Sequence, residues 1–140
     1  MEKYIWELGS LIFAILGSIH LLYTFFSNKF SSRNKQVLKE MKSSNPILTN
    51  ETTIWKAWIG FNASHSSGAI FIGLINIYLA ERFFESLITE PFFICINLLT
   101  VSFYLWLAKK YWFKIPFIGI LITLICYISA IIIHLTIYNS

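Results

Sequence analysis

The chain has few charged residues and no aspartate. Of its 140 residues, 13% are charged, which is about half of the share typical of soluble proteins. The charges are also unevenly placed, because four long segments carry none and together contain 89 residues: 8–28, 57–80, 91–108 and 115–140. A soluble domain needs a charged surface around its core, so this distribution excludes a soluble globular fold. It also excludes disorder and nucleic-acid binding through a basic face.

Cysteine and proline are scarce as well. The two cysteines, Cys95 and Cys126, are predicted to lie at different depths of a helical structure, and they form no Cys-x-x-Cys motif. A disulfide scaffold and a cysteine-based redox centre are therefore excluded. The three prolines, Pro46, Pro91 and Pro116, precede or begin uncharged segments. Proline is tolerated at these positions, so the predicted helices are uninterrupted.

Each uncharged segment is long enough to cross a hydrocarbon core of roughly 30 Å as a helix. A membrane barrel would need short segments in which polar and apolar residues alternate, and these segments are apolar nearly throughout. The sequence therefore predicts an all-α integral membrane four-helix bundle, a single transmembrane domain over residues 1–140. The predicted helices are roughly 4–27, 52–80, 91–109 and 115–138.

The cations are distributed asymmetrically about these predicted spans. Nine of the eleven lie between the first and second uncharged segments or between the third and fourth, whereas Lys3 and Arg82 lie on the opposite side. Loops rich in Lys and Arg stay in the cytoplasm. Both termini are therefore predicted to be non-cytoplasmic.

The predicted cytoplasmic loop, 28–51, is the longest polar part of the chain. Residues 32–42 can form a short interfacial helix that places Val37, Leu38 and Met41 toward the bilayer and its cations toward lipid phosphates. The alternative is a docking site for a cytoplasmic partner. The lipid bilayer is the partner that the sequence predicts, and a homo-oligomer or another membrane protein is a further possibility.

Small and polar residues are concentrated in the first and second hydrophobic segments. The second has the small-residue spacings Gly60/Ser64/Gly68 and Ala69/Gly73, and the first has Ser10/Ala14/Ser18. Such spacings let helix backbones approach closely. The two segments are therefore predicted to pack on each other.

Two histidines in these segments are predicted to lie at one level. His20 lies nine residues before Lys29, and His65 lies nine residues after Lys56, so both are about 13 Å inside the same boundary. An ionisable side chain at such depth is costly and indicates a functional site. The candidate ligand-binding residues follow from the polar stripes beside these histidines: His20, Thr24, Trp58, Asn62, His65 and Ser66. A second, outer polar cluster is predicted from Asn76, Asn97 and His134.

Several functions fit this pattern. The leading hypothesis is a small-ligand-binding or accessory membrane protein. Two histidines could instead hold a b-type haem for electron transfer, or act as a proton relay in a small transporter. A hydrogen-bonded pair that only joins two helices is the structural alternative. No catalytic residue and no metal site are predicted, because no carboxylate or cysteine shares the level of the histidines.

Three motifs of the chain resemble those of a family of small four-helix bacterial integral membrane proteins. They are Gly17-Ser18-Ile19-His20, the segment from Thr53 to Trp58, and Gly60-Phe61-Asn62-Ala63-Ser64-His65-Ser66. The resemblance covers the whole chain. It implies a multi-pass protein of the bacterial inner membrane, and it assigns no catalytic residue.

Overall fold

The computed structural model describes residues 1–138, with side chains up to residue 137. These residues are 84% helical, and none of them belongs to a strand. The five helices are α1 (Glu2–Phe26), α2 (Lys35–Ser43), α3 (Ile54–Thr89), α4 (Pro91–Tyr111) and α5 (Lys114–Tyr138). The predicted all-α fold is confirmed.

All helices except α2 are long enough and apolar enough to cross a membrane. Their surface distribution also fits a multi-pass membrane protein. Large apolar side chains of α1 are exposed along one stripe, namely Leu8, Leu11, Ile15, Ile19 and Leu22. Several polar side chains are buried together with the apolar core, namely Ser10, Thr24, Ser66, Asn76, Asn97, Thr123 and His134. An exposed apolar stripe and buried polar groups suit an apolar surrounding in which polar groups must find partners inside the protein.

Helix α3 extends past the predicted span of 52–80. It continues to Thr89, and it contains one residue with non-helical backbone angles, Phe83 (φ −141°, ψ 39°). This kink follows directly on Glu81 and Arg82, the charged residues that end the uncharged segment. Charge ends the apolar run but does not end the helix, because Glu and Arg are good helix formers. The helix stops before Pro91, which holds Glu90 in an extended conformation (φ −75°, ψ 120°).

The chain divides into two compact units. The first unit is Met1–Leu16 together with the chain from Ala69 onward, and it contains parts of α1 and α3 with α4 and α5. The second unit is Gly17–Gly68, which contains the last part of α1, helix α2 and the first part of α3.

In the first unit, α1 and α3 approach each other closely at Gly73. A Cβ atom on Gly73 would lie 2.7 Å from the Cβ of Ala14 and 2.7 Å from the carbonyl oxygen of Ser10. Only glycine fits there without a shift of the backbone. Gly60, in the second unit, differs because a Cβ atom on it would meet no atom within 4 Å. Gly60 of the predicted spacing Gly60/Ser64/Gly68 is therefore not a point of close helix approach.

In the second unit, the segment that joins the long helices is itself ordered by side-chain caps. The amide side chain of Asn34 accepts a hydrogen bond from the backbone N–H of Gln36 (2.9 Å) and caps α2. The Thr53 hydroxyl accepts one from the N–H of Lys56 (3.3 Å) at the start of α3. Between the two, the N–H of Ile54 donates to the carbonyl of Ser44 (2.9 Å). These bonds hold the end of α2 against the start of α3.

Candidate functional site

His20 and His65 are neighbours in the second unit. Their ring centroids lie 5.5 Å apart, and the ring planes meet at 69°, an edge-to-face contact. Both side chains are partly buried. His20 lies on α1 and His65 lies on α3, so the contact joins two helices through a pair of imidazoles.

Asn62 fixes the hydrogen bonding of His20. Its Nδ2 donates to the carbonyl of Trp58 (2.8 Å), so its Oδ1 is the atom that lies 3.0 Å from Nε2 of His20. An amide oxygen accepts but cannot donate. Nε2 of His20 therefore carries the proton, and in the neutral ring Nδ1 keeps the lone pair.

The ring of Phe30 lies against that of His20. Its ring centroid lies 4.4 Å from that of the imidazole, and its carbonyl oxygen accepts a hydrogen bond from Nε1 of Trp58 (3.1 Å). Trp58 thus contacts the imidazole pair indirectly, because it bonds the backbone of the residue whose ring lies against His20. Nothing in the sequence spacing of Phe30 indicates this contact, because it depends on how residues 27–33 fold back against α1.

Two candidate residues use their hydroxyl groups within their own helices. The Thr24 hydroxyl donates to the carbonyl of His20 (2.8 Å), and the Ser66 hydroxyl donates to the carbonyl of Asn62 (2.6 Å). Both side chains are buried. Each hydroxyl thus bonds the backbone carbonyl four residues earlier in its own helix, at His20 and at Asn62 respectively.

Asn76 and Asn97 of the predicted outer cluster meet in the first unit. Nδ2 of Asn76 donates to Oδ1 of Asn97 (2.7 Å), and Oδ1 of Asn76 accepts from Nε1 of Trp6 (3.0 Å). Trp6 belongs to this network through its bond to Asn76, and it is completely buried. By its position just before the first uncharged segment, it would instead be expected to lie at the membrane interface. The third predicted member, His134, places Nδ1 4.0 Å from the carboxylate of Glu2.

The network extends from Trp6 to Tyr127 and Ser10. Its indole ring stacks on Tyr127, with centroids 4.1 Å apart and planes within 9°. The Ser10 hydroxyl donates to the carbonyl of Trp6 (2.9 Å) and therefore accepts from the Tyr127 hydroxyl (2.9 Å). Such interlocked, fully buried groups hold helices α1, α3, α4 and α5 of the first unit together.

Within residues 1–138, no group of three His, Cys, Asp or Glu side chains is placed to hold a metal ion. The imidazole pair therefore offers two nitrogen ligands at most. Comparison with protein-family models, curated proteins and solved structures gives no match.

Proposed function

We propose that this is a multi-pass protein of the bacterial inner membrane that binds a small polar ligand at His20 and His65. The observation that carries the proposal is the pair itself, two imidazoles 5.5 Å apart with the proton of one fixed by Asn62. One histidine bonded to Asn62 would be enough to join two helices. A second ionisable ring in the same place adds a burial cost that a structural role does not require.

The chemistry of the pair favours a small neutral ligand. Nδ1 of His20 offers a hydrogen-bond acceptor, and the ring of His65 lies beside it. A ligand with a hydroxyl or amide donor matches such an acceptor. An ion would fit less well, because the six candidate side chains include no formal charge with which to pair it.

A b-type haem is the second candidate, because the pair has the ligand type and number for bis-histidine coordination. The geometry supports it less. Nε2 of His20 is engaged with Asn62, and Phe30 lies against the same ring. Iron ligation through Nε2 would break the hydrogen bond to Asn62, and the haem macrocycle would displace the ring of Phe30.

The proposed location and orientation rest on the cation distribution. Nine cations lie in the gaps 29–56 and 109–114 and two lie on the other side, which supports a cytoplasmic position for the loop 28–51 and the segment 109–114 and a non-cytoplasmic position for both termini. Reporter fusions test this orientation. An alkaline phosphatase fused at the C-terminus should be active, and a green fluorescent protein fused there should not fluoresce. The opposite result would reverse the orientation.

The ligand proposal is tested with wild-type protein, His65→Phe, His20→Phe and the control Ser67→Ala. Ser67 is exposed on the same helix as His65, and within the described part of the chain its hydroxyl bonds only the Ala63 carbonyl of that helix. Native mass spectrometry of protein purified in mild detergent should show a retained small molecule in wild type and in Ser67→Ala, and not in either histidine variant.

Thermal unfolding against a panel of small alcohols, amides and amines supplies the second measurement. A stabilising shift that both histidine variants lose supports binding. Variants that are merely less stable, with no retained mass and no ligand-dependent shift in wild type, would leave only the structural role. An absorption spectrum with a Soret band after supply of haem would instead support the haem candidate.

A further inference from the structure

The second unit contains a groove of about 660 Å³, whose described lining includes Thr24 of the six candidate ligand-binding residues but neither His20 nor His65. Its walls come from the end of α1, the segment 27–33, one side of α2 and the start of α3. The lining residues are Thr24, Phe25, Ser27, Asn28, Ser31, Ser32, Arg33, Lys35, Leu38, Lys42, Trp55 and Ile59. Its volume falls within the range of pockets that hold small molecules.

The charge of this groove has one sign. Arg33, Lys35 and Lys42 line it, and no acidic side chain does among the residues that the structure describes. Glu40, the acidic residue of α2, lies on another side of that helix and accepts a hydrogen bond from Gln36 (2.9 Å). The groove therefore attracts an anion, and an arginine with two lysines is a combination that suits phosphate.

The rest of the lining is not that of a site for free phosphate. Phe25, Leu38, Trp55 and Ile59 form an apolar side next to the cations. Nζ of Lys42 lies 5.6 Å from the ring centroid of Trp55, so charged and apolar parts of the groove are continuous. An amphiphile satisfies both parts, with its phosphate at the cations and its glycerol and first methylene groups on the apolar side.

We propose that this groove binds the headgroup of an anionic phospholipid, with Arg33, Lys35 and Lys42 as the phosphate contacts. The groove lies at the end of the apolar helix α1, where the chain would leave the hydrocarbon core. Basic pockets beside membrane helices hold lipid headgroups in this way. The site is distinct from His20 and His65 and does not depend on the ligand proposed for them.

The test uses full-length protein in a mild non-ionic detergent, titrated with dioctanoyl phosphatidylglycerol. Dioctanoyl phosphatidylcholine tests the need for net negative charge, and inorganic phosphate and glycerol phosphate test the need for the lipid chains. We expect phosphatidylglycerol to bind at least about tenfold more tightly than the other three, with an affinity that falls as salt rises.

The variants are Arg33→Gln, Lys35→Gln, Lys42→Gln, the triple variant and the control Lys56→Gln. Each groove substitution should weaken phosphatidylglycerol binding about fivefold, and the triple variant about a hundredfold. Lys56 is exposed at the same end of the unit but does not line the groove. Its substitution should change the affinity less than about twofold.

Several results would overturn the proposal. Equal binding of phosphatidylcholine would remove the charge requirement, and equal binding of inorganic phosphate or glycerol phosphate would make the occupant a soluble phosphate compound. A loss in Lys56→Gln as large as in Lys35→Gln would show diffuse surface attraction. All substituted side chains are exposed, so the variants should fold, and unchanged helicity and unfolding temperature check this. His65→Phe should leave phosphatidylglycerol binding unchanged, which separates this site from the imidazole pair.

Discussion

Oδ1 of Asn62 lies 3.0 Å from Nε2 of His20, and the amide nitrogen of Asn62 is held by the carbonyl of Trp58. The amide therefore cannot turn without losing a bond to its own helix. The orientation of Asn62 is thus set by α3, and the tautomer of His20 on α1 is set by Asn62.

The first prediction concerns this tautomer. Replacing Asn62 with Leu removes the acceptor for Nε2, so neutral His20 should populate both tautomers and the protein should lose about 1 kcal/mol of stability. Nitrogen NMR of histidine-labelled protein measures the tautomer directly, since protonated and unprotonated ring nitrogens differ strongly in shift. Ser67→Ala is the control and should keep the wild-type spectrum. A wild-type spectrum dominated by the Nδ1–H form of His20 would contradict the assignment.

The second prediction concerns Phe30. Phe30→Ala removes the ring that lies against His20, so residues 27–33 should lose a packing contact and open more often. Hydrogen exchange of these backbone amides should become about tenfold faster, equivalent to about 1.4 kcal/mol. Phe26→Ala is a matched control, because the Phe26 side chain is 82% exposed. Equal acceleration in both variants would show that Phe30 does not anchor the segment.

The third prediction concerns the close approach of α1 and α3 at Gly73. Gly73→Ala places a Cβ atom 2.7 Å from Ala14 and Ser10, and such overpacking costs about 1–3 kcal/mol. Gly60→Ala meets open space and should be neutral or stabilising by up to about 1 kcal/mol, because alanine is the better helix former. Unfolding in detergent measures both variants. A Gly73→Ala protein as stable as Gly60→Ala would contradict this packing.

The fourth prediction concerns the indole donor of Trp6. Trp6→Phe keeps an aromatic ring for stacking on Tyr127 but leaves Oδ1 of Asn76 without its donor. We expect the lost hydrogen bond to cost about 0.6–1.7 kcal/mol, the average and the maximum found for hydrogen bonds between membrane helices, and the smaller buried ring to add to this loss. Tyr4→Phe changes a side chain that is 71% exposed and should be neutral. A loss of the same size in Tyr4→Phe would mean that the effect does not come from the buried network.

The fold was predictable because it depends on properties that a single chain displays. Four charge-free segments have the length of membrane helices, and the structure has four helices of that kind. The common level of His20 and His65 was likewise a matter of counting residues, because helical rise is constant. The sequence alone could not show which faces turn inward, so it could not distinguish a contact between the two rings from a separation across the bundle.

Other features escaped prediction because they depend on tertiary contacts. Trp6 resembles an interfacial aromatic residue by position, yet its partners are Asn76 and Tyr127, distant in the chain. The contact of Phe30 with His20 and the grouping of the groove cations depend on the path of residues 27–33, and no periodicity in the sequence predicts that path. Helix α3 continues beyond Arg82 because hydrophobicity limits a span, whereas backbone propensity and Pro91 limit a helix.

The segment 27–33 serves two places at once. Ser27, Ser31 and Arg33 line the groove, and Phe30 of the same segment lies against His20. A molecule that holds this segment in place therefore also holds the cover on the imidazole pair, and a molecule that displaces Phe30 also disturbs the groove. Order in this one segment is therefore a requirement that both proposed sites share.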